Sequence, residues 1–207
     1  NSVVANAIHN GKTSKNGKAF ALEATLPAAA LSREIAEPEI YFDSIGWGYG
    51  WIFPRNDEVV IGVGGLFAKN RDFKAIFDTF FRDRFGKAFT GVVKGHFLPF
   101  GEYSKRMGRD GVLLVGDAAG LVDPITGEGI AYAMQSGWFA AESVLEALSG
   151  KTKNVNAAYR KRCAVITGEL AYAVKIRNFL FSPATRDMFV TALARSVSAP
   201  HRYMDLM

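Results

Sequence analysis

The sequence predicts an α+β fold, an antiparallel sheet joined to a mostly helical half, on three observations. Between residues 18 and 63, short apolar or alternating runs are separated by short turns, the pattern of an antiparallel meander. Residues 72–85 place Phe73, Ile76, Phe77, Phe80, Phe81 and Phe85 at helical spacing, so one amphipathic helix accompanies the strands. From residue 112 an apolar run leads through a glycine-rich turn into a long apolar-periodic segment, and the chain beyond it reads as helical.

Taken in order, residues 5–17 read as a polar connector containing Asn10-Gly11 and Asn16-Gly17. Residues 18–26 alternate as a strand stopped by Pro27, and 28–36 are a short helix or a loop. Strands are expected at 39–43, 46–54 and 58–63, with a turn at Asn56-Asp57 and a stop at Gly64-Gly65. Asn70 or Asp72 caps the helix at 72–85. Residues 91–97 return as a strand stopped before Pro99, and 101–110 form a polar, basic loop. Val112 to Val115 is a continuous apolar run, which predicts a strand covered on both faces. A helix follows at 129–148, with Ile130, Ala133, Met134, Gly137, Ala141, Val144, Leu145 and Leu148 as its apolar face. Gly137 costs that helix about 1 kcal/mol against alanine, which suggests a close packing contact. Gly150 ends it. Another helix runs from Asn154 or Asn156 to about 181, and a last one from Pro183 or Ala184 to about 196.

Composition narrows the classes. A length of 207 residues allows one or two domains and a sizeable core. A hydrophobic share of 49% and a charged share of 22% are ordinary for a soluble chain, and no apolar run approaches a bilayer span. The N-terminus lacks the basic and apolar regions of a signal peptide and lacks Met, so the chain reads as excised from something longer. Cys163 is the only cysteine, which excludes an internal disulfide and fits a reducing, cytoplasmic setting. His9, His96 and His201 are too dispersed for a metal site. Residues 151–207 carry ten Lys+Arg against three Asp+Glu. That basic tail suits an anionic partner such as a phosphate, a diphosphate or a lipid surface, or is a solvated helical face. No nucleic-acid motif accompanies it.

The chemistry concentrates in residues 112–130. Asp117, at the end of the apolar run, can accept hydrogen bonds from a polyol. Gly127 and Gly129 leave no β-carbon between backbone and ligand. The helix opening at Ile130 presents free N–H groups and a partial positive charge. A flat ligand that gains negative charge on reduction fits this, and a flavin is such a ligand. The alternative is a glycine-rich turn without a ligand. No Lys-Ser/Thr follows the glycines, and Gly-x-Gly-x-x-Gly is not present, so neither phosphate-loop fingerprint applies.

The run GDAAGLVDPITGEGIAYAMQSGWFAAESV resembles the second FAD-binding motif of flavoproteins with the p-hydroxybenzoate hydroxylase fold, and within them the geranylgeranyl reductase family. The resemblance implies that Gly116 and Asp117 meet the flavin's ribityl chain. It sets Pro124, Gly127, Glu128 and Gly129 along the pyrimidine side, with Gly120 and Ile130 in the same cofactor-binding stretch. Residues 48–54 are similar to the family's Tyr-x-Trp-x-Phe-Pro signature, and Ile61-Gly62-Val63-Gly64 to its Val-Gly-x-Gly. Period two puts Tyr49, Trp51 and Phe53 on one strand face, an aromatic wall that with Pro54 would hold a long apolar substrate. Core packing by the same rings is the plainer alternative. Asn1-Ser2-Val3-Val4 looks like the tail of an earlier Asp-Gly motif, which would leave the ADP-gripping segment upstream.

Four segments follow from the resemblance. Residues 1–17 connect to the upstream FAD segment, 18–100 form a substrate-binding sheet domain with one helix, 101–150 belong to the FAD domain, and 151–207 are a basic helical tail. The implied activity is hydride transfer from reduced FAD to a C=C bond of an isoprenoid or prenylated lipid, with NADPH or another reductant as electron source. An anionic head group and a peripheral membrane contact belong to the same expectation. No side chain is expected to be catalytic, because the flavin carries the hydride. The site in this stretch is expected to be formed but empty. Three alternatives stay open: a flavin monooxygenase or halogenase, an electron-transfer flavoprotein–quinone oxidoreductase-like protein, and a lipid-binding module without redox activity. The halogenase strand reads Trp-x-Trp-x-Ile-Pro, whereas Tyr49 and Phe53 match the reductase. Lys105, Arg106 and Arg109 could meet a diphosphate or phospholipid head, or line an exposed loop. Asp123 and Glu128 could be acids or helix caps.

Overall fold

A computed structural model describes residues 2–9, 17–109 and 111–195. The connector expected at residues 1–17 holds a helix instead, α1 (Val3–Ile8), capped by the Ser2 side chain, which accepts from the Ala5 N–H at 3.1 Å. Its buried residues, Ala5 and Ile8, are only three apart. So short a repeat carries no readable period. Residues 10–16, with Asn10-Gly11 and Asn16, lie outside the described residues.

The sheet comprises β1 (Lys18–Pro27), β2 (Glu39–Tyr41), β3 (Gly48–Arg55), β4 (Glu58–Leu66) and, after helix α2 (Phe73–Phe85), β5 (Lys94–Pro99). Their order is β2-β3-β4-β1-β5, every neighbouring pair antiparallel, so the α+β expectation is met. β4 passes through the Gly64-Gly65 pair instead of stopping there, because β3 and β1 pair with it on both sides. β5 keeps Pro99 within the strand, since at a sheet edge a missing N–H breaks no ladder. Asp72 caps α2 by accepting from the Ala75 N–H at 2.9 Å, and Gly86 ends it at φ 67°. The helix lays Phe73, Phe77, Phe80, Phe81 and Phe85 on one sheet face, against Leu22, Ile52, Ile61 and Val63. Each fully buried ring contributes roughly 2–3 kcal/mol.

The helical half begins with a short hairpin, β6 (Gly108–Arg109) and β7 (Val112–Leu113), followed by α3 (Gly116–Ala119). The doubly covered strand expected at 112–115 is thus two residues long. Leu114 is buried, but Val112 and Val115 are 40% and 37% exposed. An apolar run reads alike whether its covering neighbour is present or not, and here β6 is the only strand paired with it among the described residues.

Helix α4 (Ile130–Leu148) departs from expectation in the same way. Ile130, Met134, Leu145 and Leu148 of its apolar stripe are exposed, and its buried residues are Ser136 and Ser143. Ser136 Oγ accepts from the Gly116 N–H at 3.0 Å, so this helix packs through its small residues. Gly137 faces open space rather than a close neighbour. The single helix expected from 154 to 181 is two, α5 (Val155–Arg162) and α6 (Ala164–Leu180), hinged at Cys163 and capped by Asn154. α7 (Arg186–Arg195) closes the described chain.

These helices are not an appended tail. Tyr159, Cys163, Ile166 and Leu170 are fully buried against α1, the hairpin and α3, forming a second core. Arg162 pairs with Glu142 (3.1 Å) and Glu146 (2.6 Å) of α4, which answers part of the basic charge. A small third core of Ala19, Phe100, Ile125, Leu180 and Phe181 joins the sheet to the helices. No helix among the described residues is long and apolar enough to cross a membrane.

Candidate flavin and chain-binding site

The site is built on the loop between α3 and α4. Asp123 Oδ1 accepts from the N–H groups of Ile125 and Thr126 (both 2.8 Å) and from the Thr126 hydroxyl (3.1 Å). The Asp123 N–H donates to Glu128 O (2.7 Å) and the Gly127 N–H to Asp123 O (3.0 Å). The Glu128 N–H donates to Thr126 Oγ1 (3.1 Å), while Glu128 Oε1 accepts from the Ala131 N–H at 2.9 Å. The two carboxylates therefore hold the loop and the helix start in shape. Pro124 is fully buried beneath them.

This bonding leaves defined groups for a ligand. The N–H groups of Gly127 and Glu128 are used within the loop, whereas those of Gly129 and Ile130 have no acceptor among the described residues. Gly127 holds φ 75°, and the nearest atom to a β-carbon placed there is the Tyr49 hydroxyl at 4.0 Å. Asp117 is exposed on the first turn of α3, its Oδ1 3.2 Å from where a Gly129 β-carbon would stand. Gly116 (φ 50°) packs on Ala133, and Gly120 (φ 76°) on the Glu102 backbone. A polyol acceptor, two free N–H groups at the start of a 19-residue helix and clear space over Gly127 fit the ribityl chain and polar ring edge of FAD. Tyr132, in the first helical turn, has its phenol pushed up to about 12 by burial and then by the carboxylates of Asp123, Glu169 and Glu128. It stays neutral beside that site.

The sheet supplies the second part. Tyr49, Trp51 and Phe53 line one face of β3, with ring centroids 5.8 Å and 6.5 Å apart. They wall a cavity of about 470 Å³ whose lining includes Thr126 and Gly127. The Tyr49 hydroxyl donates to Thr126 O and ties this wall to the loop. Trp51 lies flat on the sheet: a β-carbon on Gly62 would meet its ring at 2.1 Å, and one on Gly64 at 3.2 Å. The structure thus brings the wall to the Gly127 end of the motif. The Asp117 end opens on a separate cavity of about 360 Å³, lined also by Ser2, His9, Lys105 and Arg106. Arg109 lies in β6 and lines neither cavity. Sequence reading missed the cavity floor, Ala19, Ala21 and Gly64, and its far wall on β5. Alternation within β1 and β5 would have grouped those residues once the strand register was known.

Comparisons with known proteins extend this picture. No family model matches the chain. At the level of fold, 95% of the chain superposes on 56% of a geranylgeranyl bacteriochlorophyll reductase-like protein from Thermoplasma acidophilum, with a TM-score of 0.65 and 21% identity. A myxobacterial FAD-dependent chondrochloren halogenase superposes at a TM-score of 0.57 and 16% identity, over 83% of this chain and 43% of that one. The chain therefore shares the fold of these two proteins over most of its length. By sequence, the chain is 40% identical over 106 residues to menaquinone reductase of Mycobacterium tuberculosis (46% of this chain, 26% of that protein). It is 33% identical over 118 residues to digeranylgeranylglycerophospholipid reductase of Methanococcus vannielii (55% and 30%). Over 155 residues it is 36% identical to chloroplastic geranylgeranyl diphosphate reductase of Oryza sativa subsp. japonica (70% and 33%). Over these stretches the chain is similar to geranylgeranyl reductases, and it spans about a quarter to a third of these relatives' length.

Proposed function

We propose that the protein to which this chain belongs reduces C=C bonds of an isoprenoid chain, using FAD. The observation that carries this reading is the shared cavity. The Tyr49–Trp51–Phe53 wall and Gly127 of the cofactor loop line one space, so a chain held on the rings would lie beside the flavin edge. The names of two relatives, a digeranylgeranylglycerophospholipid reductase and a geranylgeranyl diphosphate reductase, support the substrate class.

In this reading Asp117 takes the polyol of the cofactor, and the N–H groups of Gly129 and Ile130 take its polar ring edge. Reduced FAD supplies a hydride when bound, with NADPH or another reductant as electron source. The chain's own residues position and shield. Trp51, flat on Gly62 and Gly64, offers an apolar surface along which a prenyl chain slides into register. Tyr49, anchored on Thr126 O, keeps that surface at a fixed distance from Gly127. Asp123 and Glu128 act through the loop they hold and not on the substrate. Residues 18–100 serve as the substrate-binding part, and 101–150 contribute to the FAD site.

The test is anaerobic incubation of the full-length protein with a chemical reductant and a geranylgeranyl lipid, read by mass spectrometry. Gain of hydrogen pairs is the expected result. Oxygen or halogen incorporation would point to a monooxygenase or halogenase instead, and absence of flavin absorbance after reconstitution would sink the redox reading altogether.

A further inference from the structure

The aromatic cavity is asymmetric across the sheet. Strand register places Tyr49, Gly64, Ala21 and His96 in one row, and Trp51, Gly62, Glu23 and Lys94 in the next. The floor is made of small residues, the near wall is aromatic, and the far wall is β5. That far wall changes character along its length. Leu98, on the side of Phe100 and the Gly127 loop, is apolar; His96 is polar; Lys94 is cationic, and both of the latter are exposed at the rim.

We propose that Lys94 and His96 are the head-group end of this cavity, and that they bind the phosphate or diphosphate of a prenyl chain whose apolar part runs past Trp51 toward Gly127. The proposal rests on the prenyl-reductase reading above and adds the substrate's charge and direction. The opposite direction would press an anion against Leu98, Phe100 and the aromatic ring faces, where no described cation lines the cavity to compensate its lost hydration. With the head at the rim, the anion stays partly hydrated beside a lysine while the chain covers apolar surface. Glu23 is the register partner of Lys94, and no ion pair joins the two among the described residues. Its carboxylate weakens the anion site without abolishing it, which gives the proposal a second handle.

The test is titration of this chain, followed by tryptophan fluorescence, with three probes: geranylgeranyl diphosphate, a digeranylgeranylglycerol phosphate lipid and geranylgeraniol. Trp51→Phe assigns the signal to the cavity. The phosphorylated probes are expected to bind about five- to tenfold more tightly than the alcohol, as a partly solvated charge contact allows, and the advantage shrinks as salt rises. Lys94→Ala, at an exposed position, should erase that preference and leave alcohol binding unchanged. Glu23→Gln should increase it. A preference confined to one phosphorylated probe supports the proposal and identifies which head group the rim takes. A preference that survives Lys94→Ala, or that falls in Glu23→Gln, overturns the proposal. Alcohol binding with no phosphate preference overturns it too, leaving the prenyl-chain reading intact. Failure of all three probes removes both.

Discussion

A β-carbon on Gly62 would stand 2.1 Å from the Trp51 indole, a contact that real side chains do not make, whereas one on Gly137 would meet nothing within 4 Å. These two glycines therefore have opposite physical meanings. Gly62 lets a large ring lie on the sheet, and Gly137 only weakens an exposed helix. Gly62→Ala is expected to lift Trp51 off the sheet, costing about 1–3 kcal/mol as an overpacked site does. Gly137→Ala is expected to stabilise the chain by up to about 1 kcal/mol. Urea unfolding at neutral pH measures both. The Gly62 variant should also lose the response of its tryptophan fluorescence to a prenyl ligand, while the Gly137 variant keeps it. Equal and small effects at the two positions would mean that the Gly62-x-Gly64 spacing does not serve to seat the indole. The aromatic wall itself was legible in the sequence, because period two alone groups Tyr49, Trp51 and Phe53. The purpose of the glycines was not, because it depends on the register that sets Gly62 beside Trp51, and no local pattern states that register.

The same distinction governs the elements. Helix α2 could be read to within a residue because all of its determinants are local: five phenylalanines on one face, the Asp72 cap and the Gly86 stop. The run 112–115 and the stripe of α4 were misread because apolar spacing says which residues share a face, not whether anything covers that face. In α4 it is Ser136 and Ser143 that are buried. Helix α5 shows how the covered side is held. The Tyr159 hydroxyl donates to Leu114 O at 2.7 Å inside the second core, with the side chain fully buried. Burial, and then the Cys163 thiol beside it, raise the phenol well above the usual tyrosine range. The stability this contributes is fully present below the unfolded tyrosine value near about 10, and is lost as pH rises through the raised folded value. Tyr159→Phe strands the Leu114 carbonyl and should cost about 1–3 kcal/mol at pH 7. The variant should also lose stability less steeply than the parent above about pH 10, with Tyr132, raised to about 12 by burial first, and Tyr41, raised by burial and then by Glu39, contributing to the slope that remains. Urea midpoints across that range decide it; parallel curves for the two proteins would show that Tyr159 does not carry the alkaline dependence.

At the scale of the molecule, the site lies on a seam. The aromatic wall belongs to the sheet and its phenylalanine core, while the Gly127 loop belongs to the helices and their core. What joins them is the smallest of the three cores, Ala19, Phe100, Ile125, Leu180 and Phe181 with partly buried neighbours such as Phe42, Leu98 and Ile176, together with the Tyr49 hydroxyl on Thr126 O and Arg177 donating to Phe100 O at 2.6 Å. The distance between a bound chain and a bound flavin edge is therefore set by a few contacts, not by either large core. Two consequences can be measured together. Phe181 is 4% exposed and packs near Phe42 on the sheet side, with ring centroids 6.3 Å apart. Phe181→Ala should cost about 3–5 kcal/mol if the two halves unfold as one. Because the seam is so thin, the loss should also divide the transition. Single-tryptophan variants keeping Trp51 or Trp138 report on the sheet and on the helices. Their unfolding midpoints should coincide in the parent and separate once Phe181 is truncated. Phe77→Ala, a fully buried change inside the sheet core, is the control: it should weaken the sheet without loosening the loop. Coincident midpoints in Phe181→Ala would mean that the joint is broader than these contacts, and that the separation of wall and loop is fixed by the two halves themselves.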